Sequence, residues 1–428
     1  MEPAVLGRDF KHVEVTVLNA YAWAGNTTFS RYKIEQIVQA QIPDITEIVS
    51  NLKKKNRVGL GATVDILHVG VRLNRKGEVK SHKHQNKVWC PGDFFMEELG
   101  TISFGVSDRV EANLTYAGDI FRLAWQGNKQ FEGEKADLSI KANAFYAREW
   151  AVGGAIPLPI YYDKRIWRDF DFRAGIRVKY IQGLGAAYTQ RSDNSLYTAP
   201  DGRYVSLDYD YAVHYSDYES FNPFKAQGRG IGTDIGLSAH YKTRFYGNIN
   251  LLDLAYVKFK GNTTSYTSSG SAQFDGVYTG SLFDTTFSFD DSEYRPIYEN
   301  AESKGDGFRM PYPTRLRTHL SYRIPATNRQ DEMYHKHSLS LTYIQGFRDF
   351  GNATTSPYFA GAYAFNLWDH FEMGTNLGFS GFNKVEIGAF FAARIHFFRI
   401  GLGSGNITPL IKKFGTGGDI NFNISLSF

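Results

Sequence analysis

The final residues, Gly418 to Phe428, alternate without a break between apolar and small polar side chains. Ile420, Phe422, Ile424, Leu426 and Phe428 fall on one side of an extended strand, with Asn421, Asn423, Ser425 and Ser427 on the other. An amphipathic edge strand of a soluble sheet alternates in the same way, but it rarely carries its apolar side to the terminal carboxylate. The closing strand of a transmembrane β-barrel does so, with apolar side chains toward lipid and small polar ones toward the lumen over about ten residues.

The same period of two recurs along the chain. Val13, Val15, Val17, Tyr21 and Trp23 oppose His12, Glu14 and Thr16. Leu138, Ile140, Ala142, Ala144, Tyr146 and Trp150 oppose Asp137, Ser139, Lys141, Asn143 and Glu149. Phe172, Ala174, Ile176, Val178 and Tyr180 oppose Asp171, Arg173, Arg177 and Lys179. Val205, Leu207, Tyr209, Tyr211, Val213 and Tyr215 oppose Ser206, Asp208, Asp210 and His214. Ile231, Ile235, Leu237, Ala239 and Tyr241 oppose Asp234, Ser238 and His240. Leu316, Leu320, Tyr322 and Ile324 oppose Arg315, Arg317, His319, Ser321 and Arg323. Each segment is long enough to cross a bilayer as a tilted strand. Trp23, Trp150, Tyr215, Tyr241 and Trp368 sit at strand ends, where barrels place their aromatic girdles. Further strands are expected near 57–71, 100–117, 249–260, 272–283, 336–347, 357–367, 371–381 and 385–403. Splitting the longer ones predicts fourteen to sixteen spans, and an even count of fourteen is the expectation. The fold class is therefore all-β, an antiparallel transmembrane barrel forming one domain over residues 1–428.

Two segments carry helical spacing instead. Ile34, Ile37, Val38, Ile45, Ile48, Val49 and Leu52 do so over 31–52, with Pro43 interrupting, and 117–127 predicts a short helix around Ile120, Phe121, Leu123 and Ala124. Helical periodicity reports a buried face and not its partner. Residues 31–52 are accordingly either a hatch plugging the lumen or a segment packed on the rim.

Composition removes the competing classes. Glycine (42), tyrosine (27) and phenylalanine (33) are abundant in the 428 residues, and no run of eighteen apolar residues exists to form a helical span. Mean hydropathy is negative, as expected when only alternate strand residues face lipid. The net charge of +4 is dispersed and points to no nucleic acid. Cys90 is the single cysteine, so no intrachain disulfide forms. The opening Met1-Glu2-Pro3-Ala4-Val5 has neither a basic start nor an apolar run. An exported barrel needs a signal peptide, so the sequence is expected to be a mature or recombinant form located in the outer membrane.

The inward parities carry both signs of charge. Lys141, Arg173, Arg177, Lys179, Arg315, Arg317 and Arg323 stand against Asp137, Asp171, Asp208, Asp210 and Asp234. Fourteen strands lie between packed eight-strand barrels and open sixteen-strand porins, so a lumen largely filled by ion pairs and inserted chain is expected.

Several short motifs then carry a resemblance. They are Glu2-Pro3-Ala4, Gly127-Asn128 before Phe131-Glu132-Gly133, and Ala147-Arg148-Glu149-Trp150. Gly175-Ile176-Arg177-Val178-Lys179-Tyr180 and the run Gly228-Arg229-Gly230-Ile231-Gly232-Thr233-Asp234-Ile235-Gly236 complete them. In this order they resemble an uncharacterised Bacteroidota family of outer-membrane β-barrels, itself similar to the FadL-type long-chain fatty-acid transporters. The resemblance implies passage of a hydrophobic small molecule. FadL-type proteins open on Asn-Pro-Ala and use the N-terminal segment as a plug linked to ligand release. Glu2 departs from that pattern, and no ligand-binding residue is carried over. The terminal Phe422, Ile424, Leu426 and Phe428 resemble the aromatic signal by which such barrels reach their insertion machinery.

Catalytic and metal signatures are sparse. His82-x-His84 with Cys90, and His335-x-His337, put two imidazoles on one strand face without a completing ligand at convincing spacing, so no metal or other cofactor is expected. The glycine runs Gly401-x-Gly403-x-Gly405 and Gly228-x-Gly230-x-Gly232 lack the strand–helix context of a nucleotide loop. Ser238 and His240 share a lumen-facing parity, away from lipid substrates, and no nucleophile elbow is present, so an enzyme is not expected. Two functions remain. One is a FadL-like passage for a hydrophobic molecule. The other is a non-transporting barrel that docks outer-membrane or periplasmic partners in a secretion, assembly or surface-lipoprotein complex. Outer-membrane lipid and the insertion machinery are expected partners of either.

Overall fold

The computed structural model describes residues 13–28, 30, 35, 49–78, 94–158, 170–216, 222, 224–242, 244–275, 301–327, 333–368, 370–381, 385–411 and 415–428. The strands in the first half are β1 Val13–Asn26, β2 Lys55–Glu78, β3 Phe94–Ala117, β4 Lys135–Asp137, β5 Ile140–Pro157, β6 Phe170–Thr198, β7 Val205–Ser216 and β8 Gly228–Tyr241. They are followed by β9 Phe245–Phe259, β10 Thr263–Phe274, β11 Glu302–Lys304, β12 Phe308–Pro311, β13 Arg315–Thr327 and β14 Met333–Gly346. The last five are β15 Tyr358–Leu367, β16 Phe371–Ser380, β17 Val385–Ile395, β18 Phe398–Ser404 and β19 Gly417–Ser427. Two short helices, α1 Asp119–Gln126 and α2 Thr408–Ile411, lie in connections.

Fourteen strands form the wall: β1, β2, β3, β5, β6, β8, β9 and β13 to β19 pair antiparallel in that order, and β19 returns to β1. Closure is demanded by lipid, where an open edge leaves every second backbone group without a partner. At the seam Val15 lies opposite Leu426, Asn19 opposite Asn423 and Ala22 opposite Ile420. The Phe428 amide donates to the Val13 carbonyl at 2.8 Å, and the Val13 amide donates back at 3.2 Å.

The outward faces make one apolar belt. Ile176, Ile231, Leu237, Ile249, Leu320 and Leu341 are all more than half exposed, as lipid-facing side chains are when no lipid is counted. Rows of register partners mark its limits. Phe170, Tyr241, Phe245 and Tyr322 form an aromatic row at the end holding both termini, with ring centroids 4.6 to 6.3 Å apart. Trp150, Tyr180, Ile231 and Tyr256 form the opposite row. Tyr180 lies ten residues beyond Phe170 on β6. That is about 33 Å of strand, which a tilt of about 45° reduces to about 23 Å, the height of a barrel's lipid band. Three turns at the terminal end contain only two or three residues, between β8 and β9, β15 and β16, and β17 and β18. Long connections crowd the other end, which places the termini on the periplasmic side and the long connections outside.

Two expectations need correction. Tyr21 and Trp23 point into the lumen, because the β1–β19 register slips at Val17 and one extra residue reverses the parity beyond it. Gly61 makes room for the indole: a Cβ there would lie 2.6 Å from Trp23 Nε1. The strand at 204–215 is not part of the wall. β6 is 29 residues long, and only its first half pairs with β8. Its second half continues past the outer rim and pairs with β7, which pairs with β10, which pairs with β11. The strand expected at 272–283 falls on the end of this extension and then outside the described residues. The helix expected at 117–127 is α1, on the outer rim, where the Arg122 guanidinium donates to the Leu52 carbonyl at 3.0 Å. Most of 31–52 lies outside the described residues; of its end, Val49 and Leu52 are buried.

Replacing Leu320, which faces lipid two residues inside the boundary row at Tyr322, with Arg should destabilise the barrel by about 1–2 kcal/mol. Reversible unfolding in lipid vesicles measures this, and an unchanged midpoint would place Leu320 outside the membrane. Phe428 stacks on Phe397 at the periplasmic boundary, with centroids 5.5 Å apart. Its deletion should leave synthesis and export intact and lower the amount of heat-modifiable, inserted barrel; unchanged levels would remove its assembly role.

Candidate functional site: the buried charge layer

The inward parities of six wall strands converge on one layer of charge. Lys179 Nζ on β6 lies 2.5 Å from Asp253 Oδ1, 2.9 Å from Asp234 Oδ2 and 3.5 Å from Glu149 Oε2. The Arg109 guanidinium on β3 reaches Glu111 at 2.7 Å and Asp253 at 2.9 Å, and Arg315 approaches Asp253 at 3.6 Å. The Tyr312 hydroxyl donates to Glu149 Oε1 at 2.7 Å. Four carboxylates thus face three cations, all but Arg315 almost fully buried. Charges so desolvated persist only when each is paired and hydrogen-bonded.

Backbone geometry delivers two of these groups. Asp253 adopts a left-handed φ of 61°, opposite a register slip between Thr233 and Ile235, and this turns its carboxylate inward. Such a conformation costs on the order of 1–3 kcal/mol in a residue other than glycine. On the facing side, β12 pairs with β9 at 256–259 and β13 pairs with it at 245–252. Tyr312 sits in the interruption between them, its amide donating to the Ala255 carbonyl at 3.0 Å.

The connection from β14 to β15, residues 347–357, folds down onto this layer. The Asn352 amide donates to Glu111 Oε2 at 2.7 Å and the Gly351 amide to Asn113 Oδ1 at 3.0 Å. Asn352 Oδ1 accepts from Arg109 at 3.2 Å and also from Arg315. Gly351 has φ 56° and packs so tightly that any Cβ would collide with the Glu111 carboxylate. Phe350 stacks on Phe145, centroids 5.6 Å apart, and joins a buried apolar cluster with Ile181, Val257, Phe259, Phe308 and Met310. At the rim, Asp349 accepts from Lys55 Nζ and the Thr355 amide, each at 2.8 Å, and pairs with Arg57 at 2.5 Å. Burial pushes the Asp349 carboxyl up, but these donors and the Arg57 charge outweigh it and hold the group at about 2.

Toward the periplasm the interior opens. A cavity of about 560 Å³ is lined by Arg72, Arg173, Arg323, Arg394 and Arg399 among others. A second, of about 540 Å³, runs along β18, β19, β1 and β2 past Asn19, Asn376, Asn421 and Asn423.

The structure places Lys179, Asp234 and Arg315 in the charge layer, Arg177 below it, and Arg173 and Arg323 in the vestibule. Arg317 shares the inward parity of Arg315 on β13. Lys141 is exposed near the outer rim. Asp208 and Asp210 are not in the lumen: they lie on the sheet extension, Asp208 paired with Lys135 at 2.8 Å and Asp210 with Arg191 at 3.4 Å. His335 and His337 do not share a face, because the β13–β14 register slips beside them. His335 lines the vestibule, while His337 bonds the Tyr363 hydroxyl at 2.8 Å. His82, His84 and Cys90 lie outside the described residues, among which no group of three metal-ligating side chains is assembled. Arg109, Glu111, Asp253, Tyr312 and Asn352 escape sequence reasoning. The parity of β3 was available for the first two, but nothing in the sequence marks the kink at Asp253 or the inward loop.

A closed fourteen-strand wall with an apolar belt and a layer of paired charges inside defines a membrane-spanning barrel of the outer-membrane type. A family model described as a family of unknown function (DUF5723) matches residues 85–405, and the chain belongs to that family. No curated protein matches it. Among solved structures it is similar to the Pseudomonas putida toluene transporter TodX, with 10% identity, 100% of this chain and 92% of that chain covered, and a TM-score of 0.42. It is also similar to the Ralstonia pickettii toluene transporter TbuX (10%, 99% and 91%, 0.39) and to a Pseudomonas aeruginosa FadL homologue (11%, 99% and 91%, 0.39).

Because Asp349 titrates lower in the folded protein than in an unfolded chain, its anchoring contribution is complete above about pH 4 and lost as pH falls toward 2. Amide exchange at 347–355, corrected for intrinsic rate, should therefore accelerate over that window. Asp349→Asn should show the faster exchange already at neutral pH. Slow exchange in that variant would mean that the loop is held by other contacts.

Proposed function

We propose that this outer-membrane barrel passes a small hydrophobic molecule without maintaining a standing water channel. The observation that carries the reading is the apolar cluster in the outer half of the lumen, enclosed by the wall and sealed below by the charge layer. A water-filled pore has no use for buried Phe145, Ile181, Val257, Phe259 and Met310 in its path, whereas an apolar solute that displaces Phe350 from the packed cluster meets a surface of matching polarity. The site borders the interrupted ladder between β9 and the β12–β13 corner, where Tyr312 and Thr314 supply the few bonds to Asp253 and Ala255. Entry or exit requires the 347–357 loop to yield, withdrawing Phe350 from the cluster and releasing the polar contacts of Asp349, Gly351 and Asn352. The FadL-type resemblance of the sequence implies the same class of cargo.

One observation favours a second reading, a platform that docks other proteins. The extension β6–β7–β10–β11 stands beyond the rim and carries Tyr209, Tyr211, Tyr215 and Tyr266 on one face. Large, rigid amphipathic rings of this kind suit protein contacts.

Proteoliposomes separate the two. Under the passage reading, barrel-containing vesicles should take up an apolar aromatic probe faster than empty vesicles and leave a polar sugar outside. Phe350→Asp, which puts charge into the apolar cluster, should reduce that uptake severalfold. Equal uptake with and without barrel, together with stoichiometric co-purification of a partner from native membranes, would establish the platform instead.

A further inference from the structure

Above the outer aromatic row, the next row of lipid-side register partners runs Asp108, Arg148, Gln182, Arg229, Lys258 and Arg309 across β3, β5, β6, β8, β9 and β12. Its first half is internally satisfied. Arg148 makes two bonds to Asp108, at 2.7 and 2.8 Å, and Trp150 Nε1 donates to Gln182 at 3.1 Å. Its second half is three cations side by side. Arg229 lies directly opposite Lys258, and Lys258 directly opposite Arg309; all three are exposed. None of the three forms an ion pair with a described residue. Like charges in direct cross-strand register repel, so an isolated sheet gains nothing from this ladder.

Its position supplies the reason for it. Two residues nearer the membrane on β8 and β9 stand Ile231 and Tyr256, 72% and 59% exposed, the outer edge of the apolar belt. The cations are thus held one strand step above the hydrocarbon boundary, on the side away from the termini, with an apolar shelf beneath them. We infer that Arg229, Lys258 and Arg309 form a binding site for the phosphate groups of an outer-leaflet glycolipid, whose acyl chains lie on Ile231 and Tyr256. Two arginines and a lysine match an anion with several oxygens, the arginines by paired N–H donors and the lysine as a point charge. A bound phosphate would also cancel the repulsion along the ladder. The shelf selects a lipid over a free anion, because a soluble phosphate has no apolar part to place there.

Folded, detergent-purified full-length barrel can be incubated with bis-phosphorylated lipid A, with the same lipid after dephosphorylation, or with inorganic phosphate, and bound lipid counted by native mass spectrometry. The wild type should retain the bis-phosphorylated lipid. The triple variant Arg229→Gln, Lys258→Gln, Arg309→Gln, shown to be folded by heat-modifiability, should bind it about tenfold less tightly or weaker still. Arg229→Lys with Arg309→Lys should keep most of the binding, and dephosphorylated lipid should be held weakly and equally by all. Equal retention by wild type and triple variant would overturn the site. Undiminished retention after dephosphorylation would overturn phosphate as the recognised group. Displacement of the lipid by inorganic phosphate would overturn the lipid in favour of a soluble anion.

Discussion

A peptide group inside a bilayer has no water to pair with, and each one left unsatisfied costs several kcal/mol. Nearly everything in this chain follows from that constraint. It forces the last strand to find the first, so that residues 417–427 and 13–26 lie in register and the wall closes on itself. It favours an even number of antiparallel strands, because both termini then meet at one end. It also makes side-chain parity the only freedom left to a wall residue: apolar toward lipid, or whatever the interior requires toward the lumen.

The interior requirement is set by size. A fourteen-strand cylinder is too wide for its own inward side chains to meet by simple packing and narrower than an open porin. Here one side is lined by long charged side chains from β3, β5, β6, β8, β9 and β13, which pair with one another through Arg109, Glu149, Lys179, Asp234, Asp253 and Arg315. Chain inserted from outside packs against this layer. The 347–357 loop contributes the Asn352 N–H to the Glu111 carboxylate and the Gly351 N–H to the Asn113 side-chain carbonyl. The inserted segment among the described residues is thus a late loop. It is held both by polar attachments at Asp349, Gly351 and Asn352 and by Phe350 in the apolar cluster.

The wall was legible because period two is the direct signature of a two-faced strand, and the closing strand displays it over Ile420 to Phe428 with no interruption. The closure partner followed from topology. Three things were not legible, each for its own physical reason. A bulge adds a single residue and carries no compositional mark, so Tyr21 and Trp23 were assigned to the wrong face beyond Val17. Alternation says nothing about where a strand stands along the barrel axis, so Val205 to Tyr215 read like a membrane span although it lies beyond the rim, and Asp208 and Asp210 went with it. The segment Asp349-Phe350-Gly351-Asn352 has the composition of any polar turn. Its inward course depends on contacts with Asn113, Glu111 and Arg57, more than two hundred residues away in sequence.

Occlusion of the lumen by paired charges and the inserted loop is the central claim, and ion conductance tests it most directly. Purified barrel reconstituted into a planar bilayer at neutral pH is expected to pass little or no steady current, because the charges of Arg109, Glu111, Lys179 and Asp253 pair with one another inside the barrel and the 347–357 loop lies against them. A large, stable, ohmic current from the unmodified protein would contradict it and return the chain to the open porins.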